Sequence, residues 1–204
     1  MNKCLWTPSQ KRISNSELKA FMSFLSKEYN LEFSQYPQLH QWSIEHKEAF
    51  WKSVWQFFNI KGEMGASVLK DAHLMPGAKW FPEASLNFAE NLLYPSNLSP
   101  DNKQNDIDQT LAIIERGEHQ RRDTLTYAQL REKVAHVAHF LKTLGIQKGD
   151  CVAGFLPNSQ HAIIAMLATT SLGAIWTSCS PDFGVNGVVD RFAQTRPKVL
   201  FATE

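Results

Sequence analysis

The chain has 204 residues, 43% of them hydrophobic and 20% charged, and its 21 basic and 20 acidic residues leave a formal net charge of +1. That balance describes a globular protein with enough apolar material for a core, and it gives no electrostatic basis for binding nucleic acid or an anionic membrane surface. The three cysteines, Cys4, Cys151 and Cys179, have no CxxC spacing and fit reduced thiols rather than a disulfide framework. The opening MNKCLWTPSQ lacks the apolar segment of a secretion signal. The longest apolar stretch, 161–176, is interrupted by Thr169-Thr170-Ser171 and falls short of the roughly 20 residues that span a bilayer. The expected location is the cytoplasm.

A composition shift near Pro95-Ser96-Asn97-Leu98-Ser99-Pro100 divides the chain into a helical and irregular region, 1–100, and an α/β segment, 101–204. In 16–27, Leu18, Phe21, Met22 and Leu25 recur at i, i+3, i+4 and i+7, which predicts one buried helical face. Ser14, Asn15 and Ser16 are its candidate caps. The same pattern predicts a helix over 43–58, with Trp51, Val54, Trp55 and Phe58 inward, Phe50 and Phe57 widening the stripe, and Ser43 as the cap. Aromatics bury about 150–250 Å² each, so this helix suits docking onto another domain, and packing outweighs an aromatic ligand box. Turns follow at Met75-Pro76-Gly77 and Phe81-Pro82, and Ser85 is placed to cap a short helix over 86–93.

The second half alternates strand and helix. Residues 111–116 form a β-rich run, 117–120 turn, and a short strand returns near Thr124. Thr126 and Gln129 make the T-x-x-Q capping box of a helix whose inner face carries Leu130, Val134, Val137, Ala138, Leu141 and Leu144, with Gly145 as its left-handed C-terminal cap. A strand over 151–156, a helix over 161–172, a strand over 174–178, a helix over 185–195 and a strand over 198–202 complete the series. Apolar strands alternating with helices predict an α/β fold, a mostly parallel sheet with helices on both faces and right-handed crossovers.

In open α/β sheets, ligands bind beyond the carboxyl ends of the strands. Pro157-Asn158-Ser159, 178–184 and Thr203-Glu204 project from that edge. The loop Ser180-Pro181-Asp182-Phe183-Gly184 has two readings. It opens a helix whose free backbone N–H groups suit an anion, and it is also made of ordinary turn residues, with Asp182 able to cap the helix itself. Arg191, which follows Asp190, could reach a phosphate but is expected first in a surface ion pair, and Asn158 is expected as a cap for the helix that follows it. His136 and His139 fall off the apolar stripe and are expected to face solvent, with no metal site, and Arg121-Arg122 is expected to be a solvated turn.

The order L-T-Y-A-Q-L (125–130), G-I-Q-K-G-D (145–150), L-P-N-S (156–159), L-G-A-I-W (172–176) and S-P-D-F-G (180–184) resembles the first α/β segment of the adenylate-forming acyl-CoA synthetases. LHQWSIEHKEAFWKSVWQFFNI and WFPEASLNFAENLLYP resemble the N-terminal helical region of the members that act on acetoacetate. The motifs are modest singly and specific in their order. The resemblance implies an acid–thiol ligase that uses ATP with Mg²⁺ to form an acyl-adenylate and pyrophosphate, then transfers the acyl group to coenzyme A with release of AMP. Its partners are small molecules.

No T-S-G-T-T-G-x-P-K-like phosphate loop, GxGxxG or GxxxxGK occurs in the chain, nor do the adenine- and ribose-binding segments or the lysine-bearing C-terminal domain of the family. The resemblance therefore implies the N-terminal third of such an enzyme, inactive alone, with no catalytic residue and no tightly bound ATP, Mg²⁺ or coenzyme A. Pro181, Asp182 and Phe183 occupy the position of a G-G-F-S-like segment that approaches coenzyme A in acetyl-CoA synthetases. Only Phe183 matches by type, and Pro181 and Asp182 do not allow the close backbone approach of glycine. Contact with coenzyme A and a family-specific structural loop both remain open. The competing functions are an acetyl- or propionyl-CoA synthetase fragment and a non-catalytic binding or scaffold domain. A sequence ending straight after 198–202 leaves a sheet edge uncovered, which favours the fragment reading.

Overall fold

A computed structural model of the protein describes residues 5–96, 104–117 and 122–203. Cys4, residues 97–103 with the 97–100 part of the composition shift, residues 118–121 with most of the expected turn and Arg121, and Glu204 lie outside the described residues. Contacts divide the chain into two compact units that meet between Ser85 and Leu86 in the sequence.

The first unit holds α1 (Gln10–Ser14), α2 (Glu17–Tyr29), α3 (Tyr36–Glu45), α4 (Lys47–Phe57) and an antiparallel pair, β1 (Leu69–Lys70) with β2 (Lys79–Trp80). Ser16 caps α2 by accepting from the Lys19 amide, and Phe21, Met22 and Leu25 are buried as the spacing predicts, whereas Leu18 stays exposed. The single helix expected over 43–58 is two helices broken at His46, and Ser43 is no cap. It lies inside α3, where its hydroxyl donates to the His40 carbonyl at 2.7 Å. The start signals lie further upstream: Pro37 sits in the first turn, and the Gln38 side chain accepts from the Gln35 amide at 3.0 Å. The aromatics of α4 find partners within this unit. The Phe21 ring lies 5.9 Å from Phe50 and 5.1 Å from Phe57, centroid to centroid. Beneath them Ser53 is fully buried, its hydroxyl 2.8 Å from the Ala49 carbonyl and 3.0 Å from the Tyr29 hydroxyl.

The second unit runs α5 (Phe88–Leu93), α6 (Gln104–Gln109), β3 (Leu111–Arg116), β4 (Arg122–Thr126), α7 (Tyr127–Thr143), β5 (Cys151–Phe155), α8 (Gln160–Ser171), β6 (Ile175–Cys179), α9 (Val185–Thr195) and β7 (Val199–Ala202). Asn87, not Ser85, caps α5: its Oδ1 accepts from the Glu90 amide at 3.0 Å, while its Nδ2 donates to the Thr170 and Ser171 carbonyls at the end of α8. Ser85 instead pairs through its backbone with Glu63. Thr126 and Gln129 form the expected capping box, and Gly145 takes φ +78° just past α7, where an L side chain would be strained. Leu144 falls at the C-cap beyond the last turn and stays exposed.

The parallel sheet has three strands in the order β6-β5-β7. The first strand of the predicted alternation is not among them, since β3 and β4 pair only with each other. Their sequence explains this: charged Glu115, Arg116, Arg122 and Asp123 suit a hairpin with one wet face, whereas β5, Cys-Val-Ala-Gly-Phe, tolerates burial on both faces. Helices cover both faces of the sheet. Val152 packs with Leu141, Ile164 and Leu167 on one face, and Ala153 with Cys179 and Phe192 of α9 on the other. Gly154 is required by packing, because a Cβ there would lie 2.5 Å from the Trp176 ring.

Candidate functional site

The sheet order places the candidate site. The chain leaves β5 through α8 to reach β6 on one side, then recrosses through α9 to β7 on the other. The carboxyl ends of β5 and β7 therefore flank a reversal in strand order, where α/β sheets bind ligands. A cavity of about 370 Å³ opens there, lined by Leu156, Pro157, His161, Ile164, Phe201 and Thr203. The structure thus brings together two of the three segments expected at this edge, 157–159 and the end of β7. The loop 180–184 is on the same edge, after β6, and does not line this cavity.

The two helix N-termini at the edge differ. Asn158 does not cap α8; Ser159 holds the cap position without a side-chain bond, and the Glu115 carboxylate accepts from the Gln160 amide at 2.8 Å. Sequence reasoning missed Glu115 because its partner lies 45 residues away, beyond any local spacing rule. The N-terminus of α9 has Gly184 at its cap and no side-chain cap bond. Asp182 does not satisfy it, because its carboxylate accepts from the Ser180 hydroxyl at 2.7 Å, folding the loop back on itself.

Phe183 is 41% exposed beside this uncapped turn. Arg191 does not pair with Asp190. Adjacent helical positions do not face one another. Its guanidinium carbon lies 4.1 Å from the Phe183 ring centroid, and Nη1 donates to the Gly187 carbonyl at 3.0 Å. Gly187 leaves room for this, since a Cβ there would sit 3.4 Å from Nη1. An exposed ring, a cation on its face and a helix start without a side-chain cap can together receive a ligand that has a flat group and negative charge. His136 and His139 are solvent-facing, as expected. Among the described residues no three His, Cys, Asp or Glu side chains gather as metal ligands.

The family model described as AMP-binding enzyme matches residues 102–204, half of the chain. The chain belongs to the AMP-binding enzyme family. A second model, the acetyl-coenzyme A synthetase N-terminus, matches residues 36–92. Acetoacetyl-coenzyme A synthetase of Rhizobium meliloti is 40% identical over 98% of this chain and 29% of its own length. Malonamoyl-CoA synthetase of Penicillium aethiopicum is 40% identical over 97% of this chain and 27% of its own. Among solved structures, acetoacetyl-CoA synthetase from Streptomyces lividans superposes with a TM-score of 0.86 at 38% identity, covering 98% of this chain and 30% of that one. The chain thus spans less than a third of these AMP-binding relatives. Its second unit is the part that carries the AMP-binding match, and no helix among the described residues is long and apolar enough to cross a membrane.

Proposed function

We propose that this chain is the first segment of a cytoplasmic acid–thiol ligase that activates acetoacetate with ATP and passes the acyl group to coenzyme A, yielding acetoacetyl-CoA, AMP and pyrophosphate. The observation that carries this reading is the similarity to acetoacetyl-CoA synthetases over nearly the whole chain, in sequence and in fold. The chain alone is inactive in this reading. Phosphoryl chemistry needs donors and cations arrayed around the phosphates, and the sequence holds no phosphate loop of the family's form.

What this chain contributes is one wall of the coenzyme A site, through Pro181, Asp182 and Phe183. The Phe183 face away from the Arg191 guanidinium supports the flat nucleotide base, and Arg191 stacked on the other face offers a positive charge for a phosphate. The Ser180 hydroxyl holds the Asp182 carboxylate within the loop, and its negative charge requires the phosphate to lie on the Arg191 side. In a chimera carrying this chain in place of the matched segment of the Streptomyces lividans enzyme, Phe183→Ala should raise the KM for coenzyme A about tenfold, roughly 1.4 kcal/mol, with the KM for ATP unchanged. Unchanged KM for coenzyme A in both Phe183→Ala and Asp182→Asn would remove the loop from the site.

A second reading, a ligase for another short acid, is favoured by the acetyl-coenzyme A synthetase N-terminal match and the malonamoyl-CoA synthetase relative. The acyl pocket lies outside this sequence, so the test supplies acetoacetate, acetate, propionate or malonamate to the full ligase of which this chain is proposed to be the first segment and follows AMP formation. Acetoacetate as the best substrate upholds the first reading, and a preference for acetate or malonamate transfers the assignment.

A further inference from the structure

Asn186-Gly187 is the one Asn-Gly pair in the chain, and it stands in the first turn of α9. An asparagine before glycine is the most prone to lose its side-chain amide, because glycine has no Cβ to hinder attack by its own nitrogen on the asparagine Cγ. Inside a helix the pair is normally protected, since that nitrogen's proton is tied to the carbonyl four residues back. Here it is not. The first intrahelical bond of α9 runs from the Val188 amide to the Gly184 carbonyl, which leaves the Gly187 amide among the orphan donors of the first turn. Gly184 at the cap has no side chain to receive it, and the Asp182 carboxylate accepts from the Ser180 hydroxyl instead. Asn186 itself is exposed and lies off the apolar stripe of Val185, Val188, Val189 and Phe192. Arg191 adds a second observation. Its Nη1 donates to the Gly187 carbonyl at 3.0 Å, and a Cβ on Gly187 would lie 3.4 Å from that nitrogen, so the guanidinium rests against residue 187. This cation and the positive end of the helix both favour negative charge on the Gly187 nitrogen as it loses its proton.

We propose that Asn186 is a deamidation site, converted to aspartate and isoaspartate by attack of the Gly187 nitrogen with Arg191 assisting, and that the conversion weakens coenzyme A binding at the adjacent loop. Water is the only co-reactant. A solvent base removes the Gly187 amide proton, and the nitrogen forms a bond to the Asn186 Cγ. The Cγ–Nδ2 bond breaks, the departing nitrogen takes up a proton, and ammonia leaves behind a five-membered succinimide. Water opens that ring at Cγ to give aspartate, or at the backbone carbonyl to give isoaspartate. Either product puts a carboxylate into the turn that offers its positive end and Arg191 to a phosphate, and isoaspartate also lengthens the backbone there. The effect on coenzyme A, though not the modification, rests on the ligase reading above.

The test incubates the whole 204-residue chain in mildly alkaline buffer and follows its peptides by mass spectrometry, with isoaspartyl methyltransferase labelling. The peptide holding residue 186 is expected to gain the mass of an amide-to-acid conversion, and the isoaspartyl label, before the peptides holding Asn15 and Asn158, each of which precedes a serine. Asn186→Gln should abolish both signals at this peptide. Arg191→Met should slow the conversion about threefold, the scale of one charge at a helix end. An amide still intact at residue 186 after Asn158 has converted, or an unchanged rate in Arg191→Met, would overturn the proposal. In the Streptomyces lividans chimera, Asn186→Asp should raise the KM for coenzyme A about threefold and leave the KM for ATP unchanged. Conversion at Asn186 with an unchanged KM for coenzyme A in Asn186→Asp upholds the modification site and removes the loop from the coenzyme A site. A raised KM in Asn186→Asp without conversion of Asn186 does the reverse.

Discussion

Asp150 ties the amino edge of the sheet together, opposite the candidate site. Its backbone carbonyl accepts from Ile175 at the start of β6, and its carboxylate pairs with Lys198 before β7 at 2.6 Å. The Lys198 ammonium, and then the Gln147 amide, hold its carboxyl below the usual aspartate range. The folded pKa being the lower one, the stabilisation is present above the unfolded pKa and is lost as pH falls through the folded value. Asp150→Asn should therefore lower the melting temperature at neutral pH and flatten its fall under acid, seen in thermal unfolding followed between pH 7 and pH 3. An identical slope in both proteins would show that the pair contributes nothing to acid stability. Glu83 has the same sign, held down by Lys70 and the Ser67 amide in the first unit.

Elements carry the next set of consequences. The α7 capping box satisfies two backbone groups, so Thr126→Ala should cost about 1 kcal/mol in denaturant unfolding. Gly154→Ala should cost more, about 1–3 kcal/mol, because the new methyl meets Trp176 across the sheet. A stability equal to the parent's would mean that the ring moves freely. These elements also show what could be read in advance. The capping box, the left-handed Gly145 and the span of α9 are set by neighbours in sequence, and local spacing found them. The break at His46 was hidden because aromatic residues run through both α3 and α4, so a single apolar stripe covered two helices. At the site, periodicity located the loop 180–184 but not its internal bonding. Asp182 is turned toward Ser180 and Arg191 toward Phe183, choices made by side-chain reach. The Glu115 bond to α8 depends on the hairpin's placement, which no local pattern encodes.

At the scale of the molecule, the second unit is a three-stranded parallel sheet with helices on both faces and a cavity at its reversal point, matching the start of an AMP-binding enzyme. In the proposed reading, the loop 180–184 faces coenzyme A and the phosphate chemistry is carried by residues outside this chain. The most direct measurement is acetoacetate-dependent exchange of pyrophosphate into ATP, made on the 204-residue chain alone and on the Streptomyces lividans chimera that contains it. The account predicts no exchange above background from the chain alone and clear exchange from the chimera. Exchange by the chain alone, or a chimera that folds and binds ATP yet activates no acid, would contradict it.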